Sequence, residues 1–120
     1  MAKTVLVIED DTDIREGLQE VLERHGYNVL TAIHGQHGLD LLAAPTTIKP
    51  SVILLDLMLP IMDGWEFRRL QKLDAEIASI PVVIMSAVGK AISGIDAHGY
   101  VEKPIDLGVL LQVLRAHAQE

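Results

Sequence analysis

The chain predicts an α/β fold in which helices wind around both faces of a five-stranded parallel sheet. Three observations carry that expectation. Short β-branched apolar runs alternate with longer stretches of helical spacing, the pattern of parallel strands joined by crossover helices. The runs are continuous in apolar residues, as strands covered on both faces are. Four of them run into polar residues, and in such sheets sites form beyond the carboxyl ends of the strands.

Taken in order, Thr4-Val5-Leu6-Val7-Ile8 is the first strand. After Glu9-Asp10-Asp11, the residues Ile14, Leu18, Val21 and Leu22 recur at helical spacing, with Asp11 or Thr12 as N-cap and Gly26 as the stop. Tyr27 to Ala32 reads as the second strand, and Gln36 to Ala44 as a short second helix ended by Pro45. Ser51 to Leu55 is the third strand, and Gly64 to about Leu73 the third helix, entered through an Asp63-Gly64 turn. Ile80 to Met85 is the fourth strand, with Pro81 near its start where a missing donor is tolerated. Gly99 to Glu102 is a short fifth strand, and Ile105 to His117 the last helix, with Leu107, Leu110, Leu111 and Leu114 on one face. Between the fourth and fifth strands only residues 87–99 are available, and Gly89, Gly94 and Gly99 weaken any helix there. A parallel crossover needs at least ~10–12 residues, so this element is expected to be shortened or irregular.

Composition narrows the function. A chain of 120 residues that is 49% hydrophobic is expected to form one domain over residues 1–120, large enough for a well-packed core. The net charge of -7, from 17 acidic and 10 basic residues, argues against a nucleic-acid surface. One Trp, two Tyr and one Phe leave no stacking platform for single strands. With no cysteine, disulfides, thiolate metal sites and Cys nucleophiles are excluded. The sequence has no signal-peptide core and no apolar run of membrane-spanning length, so a cytoplasmic location and no membrane partner are expected.

Asp56 is the most informative residue. It closes the run Val52-Ile53-Leu54-Leu55, where a charge is costly to bury unless a metal, a cation or a covalent modification compensates it. Glu9-Asp10-Asp11, Ser86 and Lys103-Pro104 follow three other runs. Each has a bland reading alone. Asp56 and Ser86 would serve as caps, Asp11 and Asp13 as acids of a first helical turn, and Lys103 as a solvated charge. Tyr100 would be a half-buried strand residue with a wet hydroxyl, and His34 and His37 solvated. Four polar clusters at four strand ends point instead to one composite site centred on Asp56.

These residues resemble the receiver domain of two-component response regulators. The resemblance rests on Val7-Ile8-Glu9-Asp10-Asp11 with Ile14-Arg15, Asp56-Leu57-Met58-Leu59-Pro60 with Asp63-Gly64, Met85-Ser86-Ala87, and Tyr100-Val101-Glu102-Lys103-Pro104. It runs the whole length of the chain in order. It implies a flavodoxin-like (βα)5 fold with strand order 2-1-3-4-5. It implies that Asp56 accepts a phosphoryl group, as 4-aspartylphosphate, from a sensor histidine kinase or a histidine phosphotransfer protein. By the same resemblance Glu9 and Asp10 hold Mg²⁺ with Asp56 and the carbonyl of Met58, Asp10 being the readier direct ligand. Ser86 bonds a phosphoryl oxygen, Lys103 pairs with another across a cis peptide to Pro104, and Ser86 and Tyr100 form the switch. The module would relay the change to a downstream protein without being a turnover enzyme.

The physics stands beside that resemblance. A phosphoryl group brought to three carboxylates is repelled, and a hard divalent ion with oxygen ligands cancels the repulsion. Two rival functions remain open: an aspartyl-phosphate phosphatase or phosphotransferase, and a pairing module independent of phosphorylation. The first wants a second acid two residues after the nucleophile, where Met58 stands.

Overall fold

The computed structural model describes residues 2–87 and 95–118. Five strands, β1 (Thr4–Ile8), β2 (Asn28–Ala32), β3 (Val52–Asp56), β4 (Val82–Ser86) and β5 (Gly99–Glu102), form one parallel sheet in the order β2-β1-β3-β4-β5. Four helices are described: α1 (Thr12–Arg24), α2 (Gly35–Ala43), α3 (Gly64–Leu73) and α4 (Leu107–His117). This is the flavodoxin-like arrangement expected from the sequence.

Continuous apolar runs become strands here because each side of the sheet has its own core. Leu6, Ile8, Ile53, Leu55 and Ile84 point to one face, where Leu42 of α2 and Phe67 of α3 cover them. Val5, Val7, Leu54, Val83 and Met85 point to the other, against Leu18 and Leu22 of α1 and Leu110 and Leu114 of α4. Alternate residues therefore serve opposite cores, and a polar residue within a run would unbalance one of them.

Every described helix starts on a side-chain cap. Asp11, Asp63 and Asp106 accept from the backbone N–H three residues on, at 2.9, 2.9 and 3.1 Å. The α4 cap explains why that helix begins at Leu107 and not at Ile105. In α2 the cap is His34, whose Nδ1 accepts from His37 N at 3.1 Å, while His37 Nδ1 accepts from Ile33 N at 3.1 Å. These histidines are thus bonded into the helix start instead of being solvated, as they read in the sequence. Gly26, just past α1, takes φ 91°, the left-handed geometry that terminates a helix at low cost.

Arg68 and Gln71 are buried polar residues of α3 that the apolar pattern gave no reason to single out. Arg68 Nη1 donates to Gln71 Oε1 at 2.8 Å and its Nε to the carbonyl of Asp96 at 2.8 Å. Gln71 Nε2 donates to the carbonyls of Ile77 and Ile80 at 2.9 and 3.0 Å. One helix face thereby ties down the approaches to both β4 and β5. The expected short or irregular helix within residues 87–99 lies largely outside the described residues; Ile95 to His98 are non-helical, with Ile95 in the core.

His98 closes the start of the β4–β5 pairing twice: its N–H donates to Val82 O at 2.9 Å, and its Nδ1 accepts from Val82 N at 3.1 Å. Burial lowers the imidazole pKa below its ordinary 6.5; the charges of Arg68 and His117 add to this and Asp96 opposes it. A depressed pKa means stability that is present above pH 6.5 and lost as pH falls through the folded value. His98→Asn, whose Oδ1 can accept from Val82 without titrating, is expected to flatten that acid limb in thermal melts between pH 7 and 5; an unchanged limb would assign it elsewhere.

Candidate functional site

The carboxyl ends of β1, β3, β4 and β5 converge. Parallel register sets Ile8 beside Leu55, Asp56 beside Met85 and Ser86 beside Glu102, so the residues that follow or end these strands meet at one edge of the sheet. Asp56 is the last residue of β3 and is only 5% exposed. Glu9, immediately after β1, is fully buried, with its N–H bonded to Ala32 O at 3.0 Å. Lys103 follows β5; its N–H donates to Ser86 O at 2.8 Å, and its peptide to Pro104 is cis.

These side chains form one ion-paired centre. Lys103 Nζ lies 2.7 Å from Glu9 Oε1 and 3.0 Å from Asp56 Oδ2. The remaining oxygens accept backbone donors: Glu9 Oε2 from Asp11 N at 3.1 Å, and Asp56 Oδ1 from Met58 N at 3.3 Å. Asp10 is exposed, and among the described residues its carboxylate has no hydrogen-bond partner. One oxygen each of Glu9, Asp10 and Asp56 lie within 4.8 Å of one another. Three carboxylates facing one ammonium leave a surplus of negative charge, and hard oxygen donors so arranged suit a divalent ion such as Mg²⁺.

Burial raises the Glu9 pKa, with the Asp56 charge pushing the same way and the bonds from Lys103 and the Asp11 N–H pulling against it. Burial acts to lower the Lys103 pKa, yet the hydrogen bonds and charges of Glu9 and Asp56 outweigh it and leave it above the ordinary 10.5.

The other expected residues are placed less uniformly. Ser86 is buried at the end of β4, on the same edge. Met58 is 71% exposed, its side chain turned to solvent while its N–H holds Asp56. Tyr100 lies on the outer surface of β5, 40% exposed, and its hydroxyl donates to Ile95 O at 2.9 Å, so that hydroxyl is bonded and not simply wet. Asp63-Gly64 supplies the α3 cap and a close approach: a Cβ at Gly64 would meet Asp56 O at 2.6 Å and Leu57 Cα at 2.8 Å, which are backbone atoms that cannot yield. Arg15 is the residue whose part the sequence left undefined; its Nη1 bonds the carbonyls of Glu9 and Asp10 at 3.0 and 3.3 Å.

A parallel sheet of order 2-1-3-4-5 with an acid-and-lysine pocket at its carboxyl edge defines a receiver-type signalling domain. The chain belongs to the response regulator receiver domain family, whose description it matches over residues 5–115. It is 35% identical over 121 residues to the response regulator MprA of Mycolicibacterium vanbaalenii, covering 97% of this chain and 50% of that protein. It is 36% identical over 117 residues to the DNA-binding dual master transcriptional regulator RpaA of Synechocystis, covering 93% and 47%. The chain thus spans about half the length of these curated relatives. Among solved structures, the chemotaxis response regulator CheY4 of Vibrio cholerae superposes with a TM-score of 0.82 at 26% identity, covering 97% of this chain and 98% of the other. The bacteriophytochrome response regulator RtBRR does so with a TM-score of 0.83 at 28% identity, covering 100% and 80%. Receiver domains are signalling domains of two-component systems, and the family binds Mg²⁺ at an acidic pocket.

Two outcomes follow from this geometry. Lys103→Ala strands two buried carboxylates and is expected to cost about 3 kcal/mol at neutral pH in chelator. The cost shrinks as pH falls, because Glu9 already has a raised pKa and its protonation removes one of the charges. Denaturant titrations with EDTA or with Mg²⁺ check this, the ion restoring part of the loss. In the β3–α3 loop, Ile61 has φ 65°, is 83% exposed, and centres a three-residue turn closed by Met62 N on Pro60 O at 2.6 Å. A β-branched residue is strained there. Ile61→Gly is expected to gain about 1 kcal/mol, net of the added chain entropy, seen as a rise in melting temperature.

Proposed function

We propose that the chain is a phosphoryl-accepting switch of a two-component phosphorelay, with Asp56 as the acceptor. The observation that carries this reading is the Lys103 ammonium shared between Glu9 and Asp56 at 2.7 and 3.0 Å, beside an Asp10 carboxylate with no hydrogen-bond partner among the described residues. In the reaction a carboxylate oxygen of Asp56 attacks the phosphorus of a partner's phosphohistidine. The new O–P bond forms as the P–N bond breaks, and the electron pair leaves on the imidazole nitrogen. Such a transfer needs positioning and charge stabilisation more than an acid or base.

Glu9, Asp10, Asp56 and the Met58 carbonyl would hold Mg²⁺, which supplies neutralisation of the charge gathered on the phosphoryl oxygens. Lys103 exchanges part of its pairing with Asp56 for a phosphoryl oxygen, and the Ser86 hydroxyl donates to another. Tyr100 follows Ser86 as the outward report of the change, which requires its bond to Ile95 to open. The donor is a sensor histidine kinase or histidine phosphotransfer protein, the receiver a downstream protein, and the compartment the cytoplasm. Residues 1–120 act as one domain, and its net charge of -7 disfavours nucleic acid as this domain's own ligand. A phosphatase reading is weaker because Met58 stands where a second acid is required, and its side chain faces solvent.

Incubation with Mg²⁺ and acetyl phosphate is expected to add one phosphoryl group at Asp56, read by mass spectrometry, and EDTA to abolish it. Equal labelling of Asp56→Asn would overturn the assignment, and steady release of phosphate from small phosphoesters would revive the phosphatase.

A further inference from the structure

We propose that Arg15 is a positioning residue for the cation site: it fixes the turn after β1 so that the Glu9 and Asp10 carboxylates face Asp56. The inference rests on the metal-dependent reading above. Arg15 lies one turn into α1 and is half-buried. Its Nη1 donates to the Glu9 carbonyl at 3.0 Å and to the Asp10 carbonyl at 3.3 Å, so one planar nitrogen holds two successive peptide groups.

Other groups of this turn are committed within the protein. Glu9 N–H is bonded to Ala32 O, Glu9 Oε2 accepts from Asp11 N, Asp11 Oδ1 caps Ile14, and Arg15 N–H donates to Asp11 O. Among the described residues the Asp10 carboxylate has no such tie, so where it can reach is set by its backbone. Among the described residues, Arg15 is the one side chain bonded to the carbonyls on either side of the Glu9–Asp10 link. A group that orients a ligand without touching the metal is the kind whose loss weakens metal binding.

Charge alone gives the opposite expectation, which makes the assignment decidable. A guanidinium on the backbone of Glu9 and Asp10 adds positive charge beside the acids and would reduce their pull on a divalent ion. If Arg15 mattered only through its charge, removing it would tighten Mg²⁺ binding; if it positions the acids, removing it loosens binding.

The test is calorimetric titration of the whole chain with Mg²⁺, for the wild type, Arg15→Met and Arg15→Lys, with melting temperatures in EDTA alongside. Arg15→Met is expected to bind Mg²⁺ about ten-fold more weakly while still folded. Unchanged or tighter binding overturns the proposal, as does a lower melting temperature in EDTA with the affinity intact. Should Arg15→Met fail to fold, Arg15→Lys decides, since it keeps the charge and loses the planar fork: weaker binding supports the proposal and wild-type affinity overturns it. A wild type that binds no Mg²⁺ overturns the metal reading itself and this assignment with it.

Discussion

The structure depends on one arrangement: a lysine ammonium held between two buried carboxylates. Glu9 and Asp56 come from adjacent strands, and two buried carboxylates with only each other for company repel. Lys103 resolves this by reaching across from β5, with β4 between its own strand and β3. Its hydrogen bonds to both acids outweigh its own burial, and its pKa therefore lies above the ordinary value. The pair of bonds also joins the ends of β1, β3 and β5, so the chemistry of the pocket and the closure of the sheet edge are the same interaction.

The supporting parts around this centre are backbone parts. Asp56 can sit at the end of a fully apolar strand because the Met58 N–H takes one oxygen and Lys103 the other. Gly64 lets α3 begin directly against the Asp56 and Leu57 backbone, where any side chain would collide. The loop between them turns sharply enough to leave Ile61 at positive φ, an isoleucine in a conformation better suited to glycine or asparagine. Local strain of that kind persists only where the surroundings over-determine it. Here the loop is tied at both ends, by Asp56 and by Gly35 N on Met62 O at 3.0 Å.

Most of this was legible in the residues, for a physical reason. Strands buried on both faces write themselves as continuous apolar runs, so a charge at the end of one stands out, as Asp56 and Glu9 did. Lys103, after the half-exposed β5, was marked instead by the Pro104 that follows it. What was not legible was side-chain reach. Nothing in the spacing says that Arg68 turns inward to Gln71 and the Asp96 carbonyl, because an arginine on a helix reads first as a solvated charge. His34 and His37 looked solvated because imidazole caps lack the signature of serine or aspartate, although their nitrogens do the same work. Strand ends moved by a residue or two for a related cause: Asp56 and Ser86 join their strands through backbone pairing that composition does not record.

The two neighbouring acids are therefore not equivalent. Glu9 is already satisfied on both oxygens, by Lys103 and by the Asp11 N–H, and burial favours its protonated form. A cation bound directly to it would share oxygens that already hold the ammonium and the Asp11 N–H. Asp10 is exposed, and its carboxylate has no bond to another described residue. In the proposed reaction Asp10 and Asp56 would therefore be the readier ligands, with Glu9 left to hold Lys103. Were Lys103 to move from Asp56 to a phosphoryl oxygen, its bond to Glu9 would keep the ammonium from swinging out to solvent. The order of the two acids in the sequence, buried first and exposed second, sets which of them tethers the lysine and which stays open at the pocket's mouth.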